Sequence, residues 1–358
     1  MRSEPPVTAP ARGRGRRRWR AVLPATALVA ATFLVAGDVA VAMAGTQAGT
    51  GPASARATAT VGSAGSTRPC GTLAYHPSHP PRYRHVVVII NENTSPSELT
   101  ADRAPFLTRL RKQCGSEGSM HAATHYSDPN YLAATSGRPR EMGSMSPSDN
   151  IFHQVQRAGR RWTSYQQSMT RSCGPNVTPY STWHDPAHWY SDLRSPRNIC
   201  ATRDVPLYPR LSRDLRRDAL PAFAWITPDE CHNMHWSTGC AGSADRAIPI
   251  GDAWLEKKVS ELVSRPSYRA GRTLVIITWD EGDGHSTRGA DCTDPAVYRQ
   301  QVSCLIPTFV LSPYVVPGAR DTSDQNLYSL LGTVEDVLGV PRLGRAVGQP
   351  SLRPGLRF

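Results

Sequence analysis

Two short stretches of the chain are apolar without interruption and rich in β-branched residues. His85-Val-Val-Val-Ile-Ile90 lies between Pro80-Pro81 and Asn91-Glu92-Asn93, and Leu274-Val-Ile-Ile-Thr278 runs into Trp279-Asp280-Glu281-Gly282. Continuous rather than alternating runs of this length predict strands covered on both faces, as in a parallel sheet. Residues 222–226 and 307–311 give two further strand candidates. Between these runs, helical patterns lie over residues 104–113, 131–135, 252–264 and 327–338. Strands alternating with helices predict an α/β fold with a mostly parallel central sheet flanked by helices. Residues 138–220 are rich in Ser, Pro and Arg and predict a loop-rich insertion or cap over one sheet edge.

The N-terminal pattern is different. Arginines crowd residues 12–20, an uncharged run follows over residues 21–37, and Ala42-Met43-Ala44 offers small residues at a cleavage point. This order predicts a secretory signal peptide over residues 1–44, with an uncleaved anchor on the outer face of the cytoplasmic membrane as the alternative. Residues 45–79 are mostly Gly, Ala, Ser and Thr and predict a flexible linker, so the folded domain is expected over 80–358. Of the formal charge of +12, a net +5 sits in residues 1–45, leaving +7 for the remainder. A basic surface suits anionic substrates and lipid headgroups. Past residue 20 no basic run interleaved with aromatics points to nucleic acid.

All eight cysteines follow the export segment, an even count that reads as a disulfide framework in an exported chain. Close spacing suggests Cys231–Cys240, Cys292–Cys304 and Cys173–Cys200, leaving Cys70–Cys114. No C-x-x-C pair favours zinc.

In an open α/β sheet, ligands bind beyond the carboxyl ends of the strands. Both continuous strands end in acids there, Glu92 beside Asn93 and Asp280 beside Glu281. Carboxylates brought together repel unless a cation or shared proton compensates, and such oxygen ligands suit a hard divalent ion. The alternative is a set of strand-end turn residues facing water. Thr124-His-Tyr-Ser-Asp-Pro-Asn-Tyr131 leads into a short helix closed by Gly137, placing Ser127 at its N-terminus. A hydroxyl there is either an N-cap or a nucleophile for phosphorus. Pro228-Asp-Glu-Cys-His-Asn-Met-His-Trp236 offers His232 and His235 for a metal, a phosphate oxygen or a leaving group. The alternative is a surface loop pinned by a disulfide. His285 lies four residues past Glu281.

These pieces, in this order, resemble the phosphoesterase family of bacterial phospholipases C and secreted acid phosphatases, within the alkaline-phosphatase superfamily. The likeness is nearest to secreted acid phosphatases of the phosphatidylinositol-3-phosphatase type. It is carried by HVVVIINENTS (85–95), APFLTRL (104–110), THYSDPNYLAATSG (124–137), NMH (233–235), GDAWLEKKV (251–259), LVIITWDEGDG (274–284) and the segments between residues 314 and 344. The resemblance implies an alkaline-phosphatase-like sandwich and a hydrolase acting on phosphoric monoesters. It implies a divalent metal held by Glu92, Asn93, Ser127, Asp280 and Glu281. Ser127 would be the nucleophile, forming a phosphoserine. Asn130, three residues on, would hold the transferring phosphoryl group. Asn93 and His232 would contact substrate, and His235 would act in catalysis.

Two positions depart from the family pattern. Asn233 stands where an acid is usual, and Leu327 stands where a histidine usually precedes Tyr328. His232 or His285 would then compensate. The expected substrate is a small-molecule or lipid phosphate ester, met through peripheral membrane contact when lipid. The alternatives are a phospholipase C-type diesterase and a secreted phosphate-ester-binding protein with weakened turnover.

Overall fold

The computed structural model describes residues 68–358 apart from 195–198, 236, 238, 239, 241, 242 and 285. The export segment, the linker up to residue 67, and His285 therefore lie outside the described residues. In chain order the strands are β1 (His85–Asn91), β2 (Gly115–Glu117), β3 (Met120–His121), β4 (Trp162–Gln166) and β5 (Asp204–Pro206). They continue with β6 (Phe223–Thr227), β7 (Thr273–Trp279), β8 (Thr308–Leu311), β9 (Arg320–Asp321) and β10 (Gln325–Asn326).

Eight strands form one sheet in the order β5-β4-β6-β1-β7-β8-β2-β9. Strands β5, β4, β6, β1 and β7 run parallel, while β8 is antiparallel to both β7 and β2. The apolar runs at 85–90 and 274–278 are the central pair β1 and β7, buried at every position except His85. That is why they carry no polar alternation. Helix Ser127–Ser136 packs on helix Leu327–Leu338, and helix Pro105–Gln113 packs on helix Ala247–Val263. The architecture is the expected α/β sheet flanked by helices.

Two expectations shift. The stretch 138–220 does more than cap the sheet, because it supplies β4 and β5 at one edge. Strand β4 reads Trp-Thr-Ser-Tyr-Gln, without a β-branched run, yet all five residues are buried against β6 and β5. The folded unit also starts before residue 80: Cys70 is fully buried and bonded to Cys114, which ties residues 70–79 to the folded unit. The other three disulfides are Cys173–Cys200, Cys231–Cys240 and Cys292–Cys304. Gly137 ends its helix at φ +66°, and a Cβ there would lie 2.5 Å from the Leu343 carbonyl oxygen, so only glycine fits.

Among the described residues no helix is long and apolar enough to cross a membrane. At the far edge of the sheet, Glu117 on β2 is buried with neither carboxylate oxygen hydrogen-bonded. Burial, then the Asp321 carboxylate, pushes its pKa from 4.5 up to about 8. The folded chain thus holds a proton that the unfolded chain releases, so this residue's contribution to stability falls as pH rises from 4.5 to 8. Glu117→Gln stays neutral throughout. Urea titrations should show it gaining roughly 2–4 kcal/mol on the wild type between pH 5 and pH 8. A constant difference across that range would place the proton elsewhere.

Candidate active site

Register sets the first pair of acids. Asn91 of β1 lies opposite Trp279 of β7, so the next residues, Glu92 and Asp280, leave the sheet side by side. The Asp280 N–H donates to the Asn91 carbonyl at 3.0 Å, and the Glu92 N–H donates to the Asn233 carbonyl at 2.8 Å. Glu92, Asp280 and Glu281 are all buried. Asn93 takes φ +33°, a conformation that asparagine tolerates better than most side chains. The turn aims its backbone N–H at Asp280 Oδ1 (3.1 Å) and its Nδ2 at Glu281 Oε1 (3.0 Å).

Helix Ser127–Ser136 brings its first residue to the same edge. The Ser127 hydroxyl lies 3.0 Å from Glu281 Oε1 and 3.3 Å from Glu92 Oε2. It is not an N-cap: Tyr126 holds that position and no side chain caps the helix. The unpaired N–H groups of this turn make the place favourable for an anion.

Asn130 is fully buried and occupied with backbone. Its Oδ1 accepts from Ala123 and Thr124 N–H at 2.9 and 3.0 Å, and its Nδ2 donates to the Thr124 and Tyr126 carbonyls at 2.8 and 3.2 Å. The amide braces the loop that presents Ser127 rather than reaching into the site.

Three residues that sequence reasoning did not single out join the cluster. The Tyr131 hydroxyl donates a short hydrogen bond to Glu92 Oε1, and His125 Nδ1 pairs closely with Glu281 Oε2. His184 stacks on Tyr131 with ring centroids 5.7 Å apart, and its Nε2 lies 3.5 Å from Glu92 Oε1. Tyr131 stands four residues after Ser127, one turn along the same helix face, a spacing that could have disclosed it. His184 sits in the stretch read as loops, where no pattern marks it.

Electrostatics follow from burial. Desolvation, opposed by the Tyr131 hydrogen bond and reinforced by Glu281, pushes Glu92 up to about 8. Desolvation and the charges of Glu92 and Glu281 hold Asp280 well above the carboxylate range. The hydrogen bond to Glu281 raises His125, while burial lowers His184 to about 4. Asp280 Oδ2 and Asn93 Oδ1 are buried without any partner. Three acids, an amide oxygen and a hydroxyl, with two oxygens left unpaired, are oxygen donors of the kind that could hold a hard divalent cation.

The histidine loop is only partly drawn in. His232 Nδ1 lies 2.6 Å from Asp229 Oδ1 and 3.0 Å from Gln167 Nε2, a pairing outside the Glu92–Ser127 cluster. His235 keeps much of its surface in solvent, but partial desolvation by the protein around its ring, then the charge of His184, lowers its pKa, and the charges of Asp283 and Glu281 oppose this. Asn233, where the family pattern has an acid, is buried; its Oδ1 accepts from His235 N–H at 2.9 Å and its Nδ2 has no partner among the described residues. Leu327 is buried in the core. Elsewhere Asp149, His153 and Asp192 bring three ligating atoms within 4.8 Å of one another. His153 Nδ1 lies 3.1 Å from Asp149 and 3.0 Å from Asp192, and Arg157 takes the other Asp149 oxygen at 2.5 Å, so existing ion pairs account for that cluster.

Above Ser127 opens a cleft of about 450 Å³. Tyr126, Met142, Trp183 and His184 line it together with Asp128, Glu230 and Arg288. It offers an apolar and aromatic wall beside charged groups.

The family model of the Phosphoesterase family matches residues 97–341. A Mycobacterium tuberculosis protein named phosphatidylinositol-3-phosphatase is 26% identical over 285 residues, 76% of this chain and 82% of its own length. A Kluyveromyces lactis protein named probable acid phosphatase is 23% identical over 285 residues, 75% of this chain and 62% of its own. Among solved structures, a protein in the alkaline phosphatase superfamily from Vibrio parahaemolyticus aligns with TM-score 0.52 and 12% identity, covering 80% of this chain and 75% of that one. That likeness concerns the fold.

The Asn130 brace makes a prediction independent of chemistry. Asn130→Asp keeps the acceptor for two N–H groups but turns an oxygen onto the carbonyls of Thr124 and Tyr126. Denaturant titration should show a loss of about 2–4 kcal/mol. Unchanged stability would return the amide to the substrate.

Proposed function

The chain belongs to the Phosphoesterase family, and from that premise we propose that it is a metal-dependent phosphatase whose nucleophile is Ser127. The observation that carries the reading is the Ser127 hydroxyl within hydrogen-bond reach of both Glu281 and Glu92 at a helix N-terminus. Glu92, Asn93, Ser127, Asp280 and Glu281 would hold one divalent ion. When bound, it supplies positive charge against the phosphate oxygens and lowers the pKa of the hydroxyl.

Glu281 accepts the Ser127 hydrogen bond and is itself steadied by His125 on its other oxygen. As Ser127 Oγ bonds to phosphorus, the bond to the leaving oxygen breaks in line, giving a phosphoserine that water then hydrolyses. N–H groups of the first helical turn face the equatorial oxygens. His235, held by Asn233, is assigned the proton given to the leaving oxygen. Asn130 becomes a positioning residue, His184 and Tyr131 orient Glu92, and His232 is left as a loop anchor.

For the substrate we propose phosphomonoesters whose leaving group is part apolar, with phosphatidylinositol 3-phosphate the first lipid to try. The supports are the name of the mycobacterial relative and the Met142–Trp183 wall beside Arg288. Export completes the reading, supported by the four disulfides and the N-terminal pattern.

Phosphate release from an aryl phosphomonoester should be abolished by chelator and restored by a divalent ion. Ser127→Ala should lower kcat by about three orders of magnitude or more with unchanged melting. Retained turnover would remove Ser127 from the mechanism, and chelator-resistant turnover would remove the metal.

A further inference from the structure

A second pair of buried acids, Asp204 on β5 and Asp185 in the loop beside β4, lies away from Ser127, and the proposed reaction does not use it. Ser164 of β4 is directly opposite Asp204 of β5, and Gln166, two residues on, shares their face of the sheet. Asp185 comes in from the loop, its Oδ1 3.5 Å from Ser164 Oγ. The carboxyls of Asp185 and Asp204 meet at hydrogen-bonding range, and all four residues are fully buried.

Donors are short here. The Tyr180 hydroxyl donates to Asp185 Oδ2 at 2.8 Å, and Gln166 Nε2 donates to Ser164 Oγ at 2.8 Å. Among the described residues no N–H or O–H group outside the carboxyl pair donates to either oxygen of Asp204 or to Oε1 of Gln166. Arg194 contributes its charge at a distance, with Nη1 3.2 Å from His188 Nδ1. Buried polar groups are normally satisfied, and a buried acid left unpaired is costly. One shared proton joins Asp185 to Asp204 but leaves an Asp204 oxygen and the Gln166 oxygen unmet. A divalent cation neutralises both carboxylates and meets every open oxygen together.

We propose that Asp185, Asp204, Gln166 and Ser164 form a structural calcium site. Only oxygens are offered, and both carboxylates, an amide oxygen and a hydroxyl approach the six to eight ligands calcium takes. The group is sealed from solvent, so the ion ties the loop around residue 185 to the edge strands instead of meeting substrate.

The probe is calcium chloride added to chelator-stripped protein, read by melting temperature and by equilibrium calcium binding. Glu281→Gln serves as the background that weakens the proposed catalytic metal site, so the two sites are separated. In that background, calcium at about a hundred times its Kd should raise the melting temperature by roughly 5–10 °C. Adding Asp204→Asn should abolish the rise, and Gln166→Met should weaken calcium binding by about tenfold or more. Asp204→Asn should fold, since its amide donates to Asp185. Absence of a calcium-dependent rise in the Glu281→Gln background would overturn the site, as would an equal rise with Asp204→Asn. Either outcome leaves the phosphatase reading untouched.

Discussion

Everything at the functional edge depends on burying three carboxylates where two parallel strands end. Glu92, Asp280 and Glu281 are held out of water by the same packing that makes β1 and β7 continuous apolar runs. Left alone, such acids keep their protons, as the raised pKa of Glu92 and Asp280 records. The fold therefore builds a standing demand for positive charge at one point. The surrounding groups meet part of it: Tyr131 and His184 on Glu92, His125 on Glu281, and the Asn93 backbone on Asp280. What remains unmet is the demand that the proposed cation, and the phosphoryl group it would accompany, would answer.

Serine placement follows from that constraint. Ser127 is the first residue of a helix, where backbone N–H groups are free and the hydroxyl need not serve as a cap. The helix is fixed at both ends, by the Asn130 amide stitched to residues 123–126 and by Gly137 tucked under Leu343. Because the site is assembled by register and capping, small errors in either would separate Ser127 from Glu281. The energy of the arrangement lies in these supports rather than in the contacts among the acids, which are repulsive on their own.

The sequence disclosed those parts whose physics is local. Strands β1 and β7 were readable because a strand buried on both faces tolerates no polar alternation. Their acidic ends were readable because parallel strands share one carboxyl edge. Strand β4 was not: its Ser164 and Gln166 are buried through partners on β5 and in a distant loop, and no window of sequence contains those partners. His184 was hidden for the same reason. Asn130 shows the limit of a motif, since its spacing from Ser127 marks it as important without saying which way the amide turns. The structure turns it to backbone. His232 likewise pairs with Asp229, three residues before it, and that local partner takes it out of the cluster.

The two acid groups on this sheet make a physical contrast. Glu92 and Glu281 lie behind Ser127, which lines a cleft, so a ligand that comes and goes would meet their charge through that hydroxyl. Asp185 and Asp204 are enclosed between β4, β5 and the loop leading to residue 190, so whatever neutralises them stays. The groups are joined through the chain, because Asp185 directly follows His184, whose carbonyl accepts from Thr227 Oγ1 and whose ring stacks on Tyr131. Fixing Asp185 at the sheet edge therefore limits how far His184 can move from Glu92. An edge strand pair with no direct contact to Ser127 thus contributes to the order of the active-site wall, through one peptide bond and one stacked ring.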